Sequence, residues 1–293
     1  MTNQRLEDFH TQFIADLKSK DRSESTIIAY GKDISQLLEH LSKTGITSLD
    51  GISIEKLEEF KAALEQNNYT PKSISRKINS IRTFFKYLVS QKAITENPSE
   101  KLSHPKFETK PPRVLSEMEY RALRDVSRSD IRLYSIVELL LQTGIRIGEL
   151  TRLATKDIRE TKDGKYKYLQ IESFASHPER KVPLNSSALA AINEYLKIRP
   201  KTDNNTLFVT KTGNPLLVRN IRTSIDRAFE KAGITYSKVN DLRNTFIAHH
   251  LAHGVSLVTV SRLVGHKRLS TTEKYLDLIK KDENGNQQKL EAL

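Results

Sequence analysis

Three blocks of apolar residues at helical spacing fill residues 23–90. Ser23 precedes Ile27, Ile28, Ile34, Leu37, Leu38 and Leu41, and Gly45 closes the block, which reads as a capped amphipathic helix. Ser53 opens a shorter block through Leu57, Phe60 and Leu64. Thr70-Pro71 then supplies a capping hydroxyl and a proline at the first helical position. The segment after it sets Ile74, Ile78, Ile81, Phe85 and Leu88 along one face, with Lys72, Arg76, Lys77, Arg82 and Lys86 on the others. The N-terminal segment therefore reads as all helix.

A stretch with three prolines in nine residues, His104–Pro112, interrupts the pattern and reads as a linker. This sets the domains at 1–103, 104–112 and 113–293. Beyond it the pattern is mixed. Ser116-x-x-Glu119 is a capping box, and Ile131–Gln142 is an apolar helix stopped by Gly144. Tyr166–Glu172 and Arg180–Leu184 alternate like two strands of a hairpin joined by SFASHPE, and Leu207–Thr210 reads as a further strand turning at Thr212-Gly213-Asn214. The rest is helical, with Ser256 and Ser270 as caps. The fold class is mostly α with a small β-sheet, an α+β chain of two domains.

Composition narrows the partners. Of 293 residues, 48 are Lys or Arg and 36 are Asp or Glu, a formal net charge of +12 with a pI near 9.6. Residues 1–110 carry 17 basic and 15 acidic side chains, so nearly all of the excess lies beyond the linker. A basic chain with packed cores points to a polyanion, and nucleic acid is the default. In that light the charges at Lys72, Arg76, Lys77, Arg82 and Lys86 are either an ordinary solvated face or a helix laid against DNA phosphates. No apolar run reaches the ~20 residues of a membrane span, and the N-terminus lacks an apolar signal core, so a cytoplasmic protein with no membrane partner is expected. The chain has no Cys, which removes disulfides, thiolate metal sites and cysteine nucleophiles. There is no Walker-type loop, dinucleotide fingerprint or HExxH. His249, His250 and His253 project from a helix about 100° apart when adjacent, and packing explains them better than a metal.

Three segments carry more specific chemistry: LQTGIRIGELTRL with Arg146, VNDLRNTFIAHHL with Arg243, and LVGHKRLSTTEKYLD with His266 and Tyr275. In this order and spacing they resemble the tyrosine recombinase (phage integrase) family, of the compact Xer-like type. The resemblance implies an N-terminal core-binding, SAM-like domain and a catalytic domain forming a C-shaped clamp on double-stranded DNA. It implies a site-specific recombinase that cuts and rejoins DNA through a 3′-phosphotyrosyl link, for integration and excision or for resolution of dimers and cointegrates. Tyr275 is the nucleophile by this resemblance; its phenol, ordinarily near pKa ~10, has to be deprotonated locally. Arg146 and Arg243 hold the reacting phosphate through planar forks, which leaves no role for a metal or other cofactor. His266 bonds the phosphate or assists proton transfer, and Glu149 fixes an arginine or histidine side chain. A homotetramer on two paired sites, with accessory DNA-bending proteins, is implied, as is packing of Leu290 and Leu293 from the tail into a neighbouring protomer.

The sequence departs from the family pattern twice. The usual hairpin lysine is missing from Ser173–Pro178, and Lys165, Lys167, Lys181 and His177 stand as replacements. Asn240 occupies a position usually held by histidine, and Asn244 another; asparagine can donate to a phosphate but cannot shuttle a proton. The alternative reading is therefore a catalytically impaired DNA-binding relative that occupies or regulates recombination sites. A topoisomerase-like relaxing enzyme is a third.

Overall fold

The structure, a computed structural model, describes residues 5–108, 110–174 and 177–279. The chain is mostly helical with one three-stranded sheet and divides into two compact units, residues 1–109 and 110–293.

In the first unit four helices enclose one core: α1 (Leu6–Ser19), α2 (Glu24–Lys43), α3 (Ile54–Gln66) and α4 (Pro71–Ser90). The caps expected at Ser23 and Thr70 are present, each hydroxyl accepting a backbone N–H from the first turn. α1 went undelimited in the sequence reading, although Leu6, Phe9, Phe13 and Leu17 repeat at helical spacing and are all buried. Phe13 meets Phe84 edge-on at 5.2 Å in the centre.

The polar side of α4 corrects the sequence reading. Lys77 is buried, not displayed on an outer face: its Nζ donates to Asp33 Oδ1 at 2.9 Å and to Gln36 Oε1 at 2.6 Å. Arg76 pairs with the same carboxylate through both terminal nitrogens, and Ser80 donates to it at 2.7 Å. Asp33 is buried at 1% exposure, and four hydrogen bonds from α4 make it the clasp between α2 and α4. Arg82 donates to the carbonyls of Glu100 and Leu102 and contacts His104, so it ties down the chain after α4. His104, assigned to the linker, is thereby fastened to the first unit, together with a bond to Ser75. Lys72 and Lys86 alone of the five α4 cations remain exposed without such a tie among the described contacts.

The second unit begins with α5 (Glu117–Ser127), opened by the Ser116/Glu119 capping box, and α6 (Ile131–Thr143), which is buried from Ser135 to its end. The short α7 (Ile147–Leu150) follows the turn at Gly144. The sheet is an antiparallel meander of β1 (Ile158–Glu160), β2 (Lys167–Ile171) and β3 (Arg180–Pro183), with Leu169 facing Val182 in register. The hairpin is thus joined by a third strand, β1, too short and polar to give an alternating signal. Leu207–Thr210 forms no strand: only isolated bridges at Thr206 and Val209 pair there, because these residues are buried against Tyr195 instead of extending the sheet. Four longer helices and one turn complete the unit: α8 (Ser186–Ile198), α9 (Val218–Lys231), α10 (Val239–Ala252), α11 (Leu257–Val264) and α12 (Ser270–Glu273). Ser256 caps α11, but Ser270 caps nothing; it is the first residue of α12, after Leu269. A small separate cluster of Phe246, Leu251, Val260, Val264 and Tyr275 lies where α10, α11 and the last turn meet. The tail from residue 280, with Leu290 and Leu293, lies outside the described residues. Among the described residues no helix is long and apolar enough to cross a membrane.

Candidate active site

Two glycine turns build the site. Gly144 ends α6 and Gly265 ends α11, both left-handed, with φ of 59° and 67°. A side chain at Gly144 would come within 2.4 Å of the Phe246 ring, and one at Gly265 would meet the Arg180 guanidinium at 3.0 Å. Each turn aims helix C-terminal carbonyls, the negative ends of the helix dipoles, at arginines. Arg243, on α10, donates to the carbonyl of Gly144 and to that of Val264 at 2.6 Å. Arg146 donates to Val264 O at 3.3 Å and Gly265 O at 3.0 Å.

Glu149 on α7 locks the cluster. Its carboxylate accepts the backbone N–H of Arg146 at 2.8 Å, the Arg146 side chain at 3.0 Å, and a two-pronged contact from Arg180 at 2.9 and 2.7 Å. Burial alone would raise the Glu149 pKa, but the Arg180 hydrogen bond, the Arg146 N–H and both positive charges outweigh it and bring it to about 2. Arg180 also donates from Nε to Leu263 O at 2.7 Å, so β3, α7 and the end of α11 are joined through one side chain.

The balance is unequal: three guanidiniums surround one carboxylate. Burial, reinforced by Arg146, lowers the Arg243 pKa to about 9, and Arg243 is only 5% exposed. His266, immediately after Gly265, is brought to about 4 by burial and then by Arg243 and Arg146, so its ring is neutral at pH 7. Its Nδ1 lies 2.8 Å from Thr272 Oγ1. A cavity of about 840 Å³ opens onto Arg146, Glu149, His177, Asn240 and Arg243. A surplus of fixed positive charge beside an open cavity is a place for an anion.

The structure gathers most of the residues singled out in the sequence, but not all into the cavity. Tyr275 is 6% exposed and donates from Oη to Asn244 Oδ1 at 2.8 Å; Asn240 Nδ2 donates to the same oxygen at 3.1 Å. Local deprotonation of the phenol is not provided in this arrangement: burial raises its pKa, with Arg243 opposing. Asn244 also donates to Arg113 O at 3.0 Å, so both asparagines meet at the tyrosine. Of the four hairpin replacements, Lys165 pairs with Asp163, Lys167 is exposed at the start of β2, and Lys181 is exposed with its Nζ 5.0 Å from the Tyr168 ring centre. His177 alone of these lines the cavity. His249 and His250 on α10 pack with His253 just beyond its end, the rings of His249 and His253 lying 3.9 Å apart. Among the described residues no group of three or more His, Cys, Asp or Glu is placed to hold a metal ion.

Sequence reasoning missed Arg180. It stands beside Lys181, which drew the attention as the hairpin cation. The available signal was an arginine entering a strand whose neighbours Val182 and Leu184 face the core.

Residues 113–282 match the phage integrase family, and residues 11–92 match the phage integrase N-terminal SAM-like domain. The chain is 30% identical over 274 residues to tyrosine recombinase XerC of Listeria innocua, covering 89% of each chain. It is 32% identical over 264 residues to tyrosine recombinase XerC of Staphylococcus saprophyticus, covering 87% of each. Its fold is that of a lambda integrase dimer bound to a COC′ core site, at 18% identity and a TM-score of 0.74 over 92% of this chain and 97% of that one.

Proposed function

The chain belongs to the phage integrase family, and on that premise we propose that it is a site-specific DNA recombinase whose working residues are Tyr275, Arg146, Arg243, His266, Glu149 and Asn240. The single observation that carries the residue assignment is the surplus of guanidinium charge around Glu149 at the edge of the cavity. A phosphodiester entering there meets Arg146 and Arg243 already oriented by helix-end carbonyls, so little reorganisation is needed when charge builds on the phosphate. Burial and then the neighbouring guanidiniums lower Arg243 and His266; the phosphate's negative charge offsets the second of these causes and moves both pKa values back toward their ordinary range.

The phenol of Tyr275 leaves Asn244, loses its proton and attacks phosphorus. The link to the 5′-oxygen breaks, and a 3′-phosphotyrosyl bond conserves the energy for rejoining. Glu149 and Arg180 hold Arg146 in place, and Asn240 donates to the phosphate once Asn244 is released. Lys72, Lys86 and Lys181 contact the duplex backbone. The enzyme works in the cytoplasm as a homotetramer on two paired sites, assisted by DNA-bending proteins, in the movement of a mobile element or the resolution of joined molecules.

A duplex nicked beside the cleavage position tests this. It should yield a covalent protein–DNA adduct that persists in EDTA and disappears in Tyr275→Phe. Strict Mg²⁺ dependence would overturn the arginine mechanism. The second reading, a relative that binds without cutting, has in its favour the burial of Tyr275 and an asparagine, not a histidine, at position 240; clean binding with no adduct would leave it standing. Exchange between two sites, as against relaxation of any supercoiled plasmid, separates a recombinase from a relaxing enzyme.

A further inference from the structure

Breaking a phosphodiester at its 5′ link expels an alkoxide, a poor leaving group unless it is protonated as it departs. Arg146 and Arg243 are committed to helix-end carbonyls, and Arg243, even lowered to about 9, stays charged near neutral pH. Glu149, with a pKa near 2, holds no proton there. His266 does not line the cavity, and Tyr275 is the nucleophile. His177 lines it together with Arg146 and Arg243 and is the one imidazole to do so.

The placement of His177 is built in. Between β2 and β3, Phe174 and His177 exchange two backbone hydrogen bonds, 3.1 and 3.0 Å. The Arg152 guanidinium sits 3.7 Å from the centre of the Phe174 ring. Arg152 follows α7 by two residues, so the segment that carries Arg146 and Glu149 also holds Phe174, the backbone partner of His177. The ring's Nδ1 is buried without a hydrogen-bond partner among the described residues. Among the described residues no hydrogen bond at Nδ1 fixes the tautomer, and the ring loses no such bond there when it changes protonation.

Resting on the recombinase reading, we propose that His177 is the catalytic residue that protonates the departing 5′-oxygen. The P–O5′ bond breaks, its electron pair stays on oxygen, and the imidazolium proton moves to that oxygen, leaving a neutral ring. The phenolic proton of Tyr275 passes to solvent, so the phosphodiester anion becomes a phosphotyrosyl diester anion of the same charge. In rejoining, the neutral ring takes the proton back from the 5′-hydroxyl. The charged groups facing His177 are Arg146, Lys267 and Arg180, which with burial disfavour its proton, and Glu149, which favours it. Bound phosphate adds a second negative charge, which favours protonation when the substrate is present.

The test uses two nicked duplexes, one ordinary and one with sulfur replacing the 5′-bridging oxygen, since a thiolate departs without a proton. His177→Ala and His177→Gln should form adduct at least ~100-fold more slowly than wild type on the ordinary duplex. On the sulfur duplex both should come within a few-fold of wild type, and thermal midpoint and duplex affinity should be unchanged. The descending alkaline limb of the wild-type pH–rate profile should vanish with sulfur. Lys238 lines the same cavity and is the rival donor. Equal defects on both duplexes, no defect on either, or sulfur rescue of Lys238→Ala or Lys181→Ala in place of His177→Ala would overturn the assignment to His177. A wild-type protein that forms no adduct with either duplex would overturn the recombinase reading itself, and this assignment with it.

Discussion

Each unit of this protein buries a carboxylate among cations, and the two clusters are made differently. In the first, Asp33 gathers Arg76, Lys77 and Ser80, all from α4, and every one of those donors ends on Asp33 or a neighbouring side chain of α2. Its product is a helix–helix clasp. In the second, Glu149 cannot match three guanidiniums, and helix-end carbonyls take up donors that the carboxylate leaves over. Carbonyl dipoles orient a cation without cancelling its charge. By formal count the first cluster keeps one positive charge in excess, with its donors taken up on α2, whereas the second keeps two beside the cavity, the larger surplus to offer an anion. A buried ion pair therefore says little about function until its charge balance is drawn up.

The sharpest way to break this contrast is to remove both carboxylates. Asp33→Asn and Glu149→Gln should each cost on the order of 3–5 kcal/mol, because the first leaves the buried Lys77 and the second the Arg180 side chain and the buried Arg243 uncompensated. The rescue should differ. Millimolar sulfate should restore much of the calorimetric stability lost in Glu149→Gln and little of that lost in Asp33→Asn. Equal rescue would mean that the two clusters differ only in location.

Removing a cation probes the other side. Arg243→Ala should slow adduct formation by about 10²–10³, the usual consequence of losing one preorganised charge donor. Arg76→Ala should leave the cleavage rate of bound duplex within a few-fold of wild type, since its guanidinium is taken up by Asp33. Single-turnover adduct formation at saturating protein reads both. A comparable loss in Arg76→Ala would show that the first cluster also acts on the reacting phosphate.

Acid should dismantle the second cluster in two steps. His266 falls to about 4 in the folded protein from an ordinary 6.5, so the unfolded chain binds more protons between those values. Stability from this group is complete above pH 6.5 and declines as pH drops toward 4; His249, also near 4 chiefly through burial, adds to the same window. Glu149, at about 2 against 4.5, contributes about 3 kcal/mol above pH 4.5, lost as pH falls toward 2. Denaturant titrations from pH 7 to 2.5 should show both declines. His266→Gln should flatten the upper one, and an unflattened decline would assign that window elsewhere.

How far the sequence carried the fold and site follows from how local each signal is. Caps at Ser23, Thr70, Ser116 and Ser256 are read from three or four adjacent residues, and all four are formed. The spacing of Arg146, Arg243, His266 and Tyr275 marked one region because the glycine turns beside two of them are local as well. Lys77 was misread because its partner is Asp33, 44 residues earlier, a charged residue beside the apolar Ile34. Arg180 was missed because its partners lie 31 and 83 residues away. The burial of Tyr275 depends on Asn244, Phe246 and Val260, which come together only in the tertiary fold.

The smallest effect concerns how helices end in the two units. After α1, α3 and α4 the first unit places Asp21, Asn68 and Lys92 in left-handed conformation, with φ of 50°, 59° and 57°, where glycine is the usual choice. All three are exposed, so no neighbour requires the absence of a side chain. At Gly144 the Phe246 ring does require it. Lys92 is the least suited of the three, lacking the short polar side chain that eases this conformation in Asp and Asn. Lys92→Gly should relieve that strain while enlarging the freedom of the unfolded chain, leaving a net gain of no more than about 1 kcal/mol. A small upward shift in the denaturant midpoint of the first unit, with cleavage unchanged, is the expected result. A loss of stability would mean that the Lys92 side chain makes a contact worth more than the strain, and that the first unit's helix ends are as closely specified as those of the second.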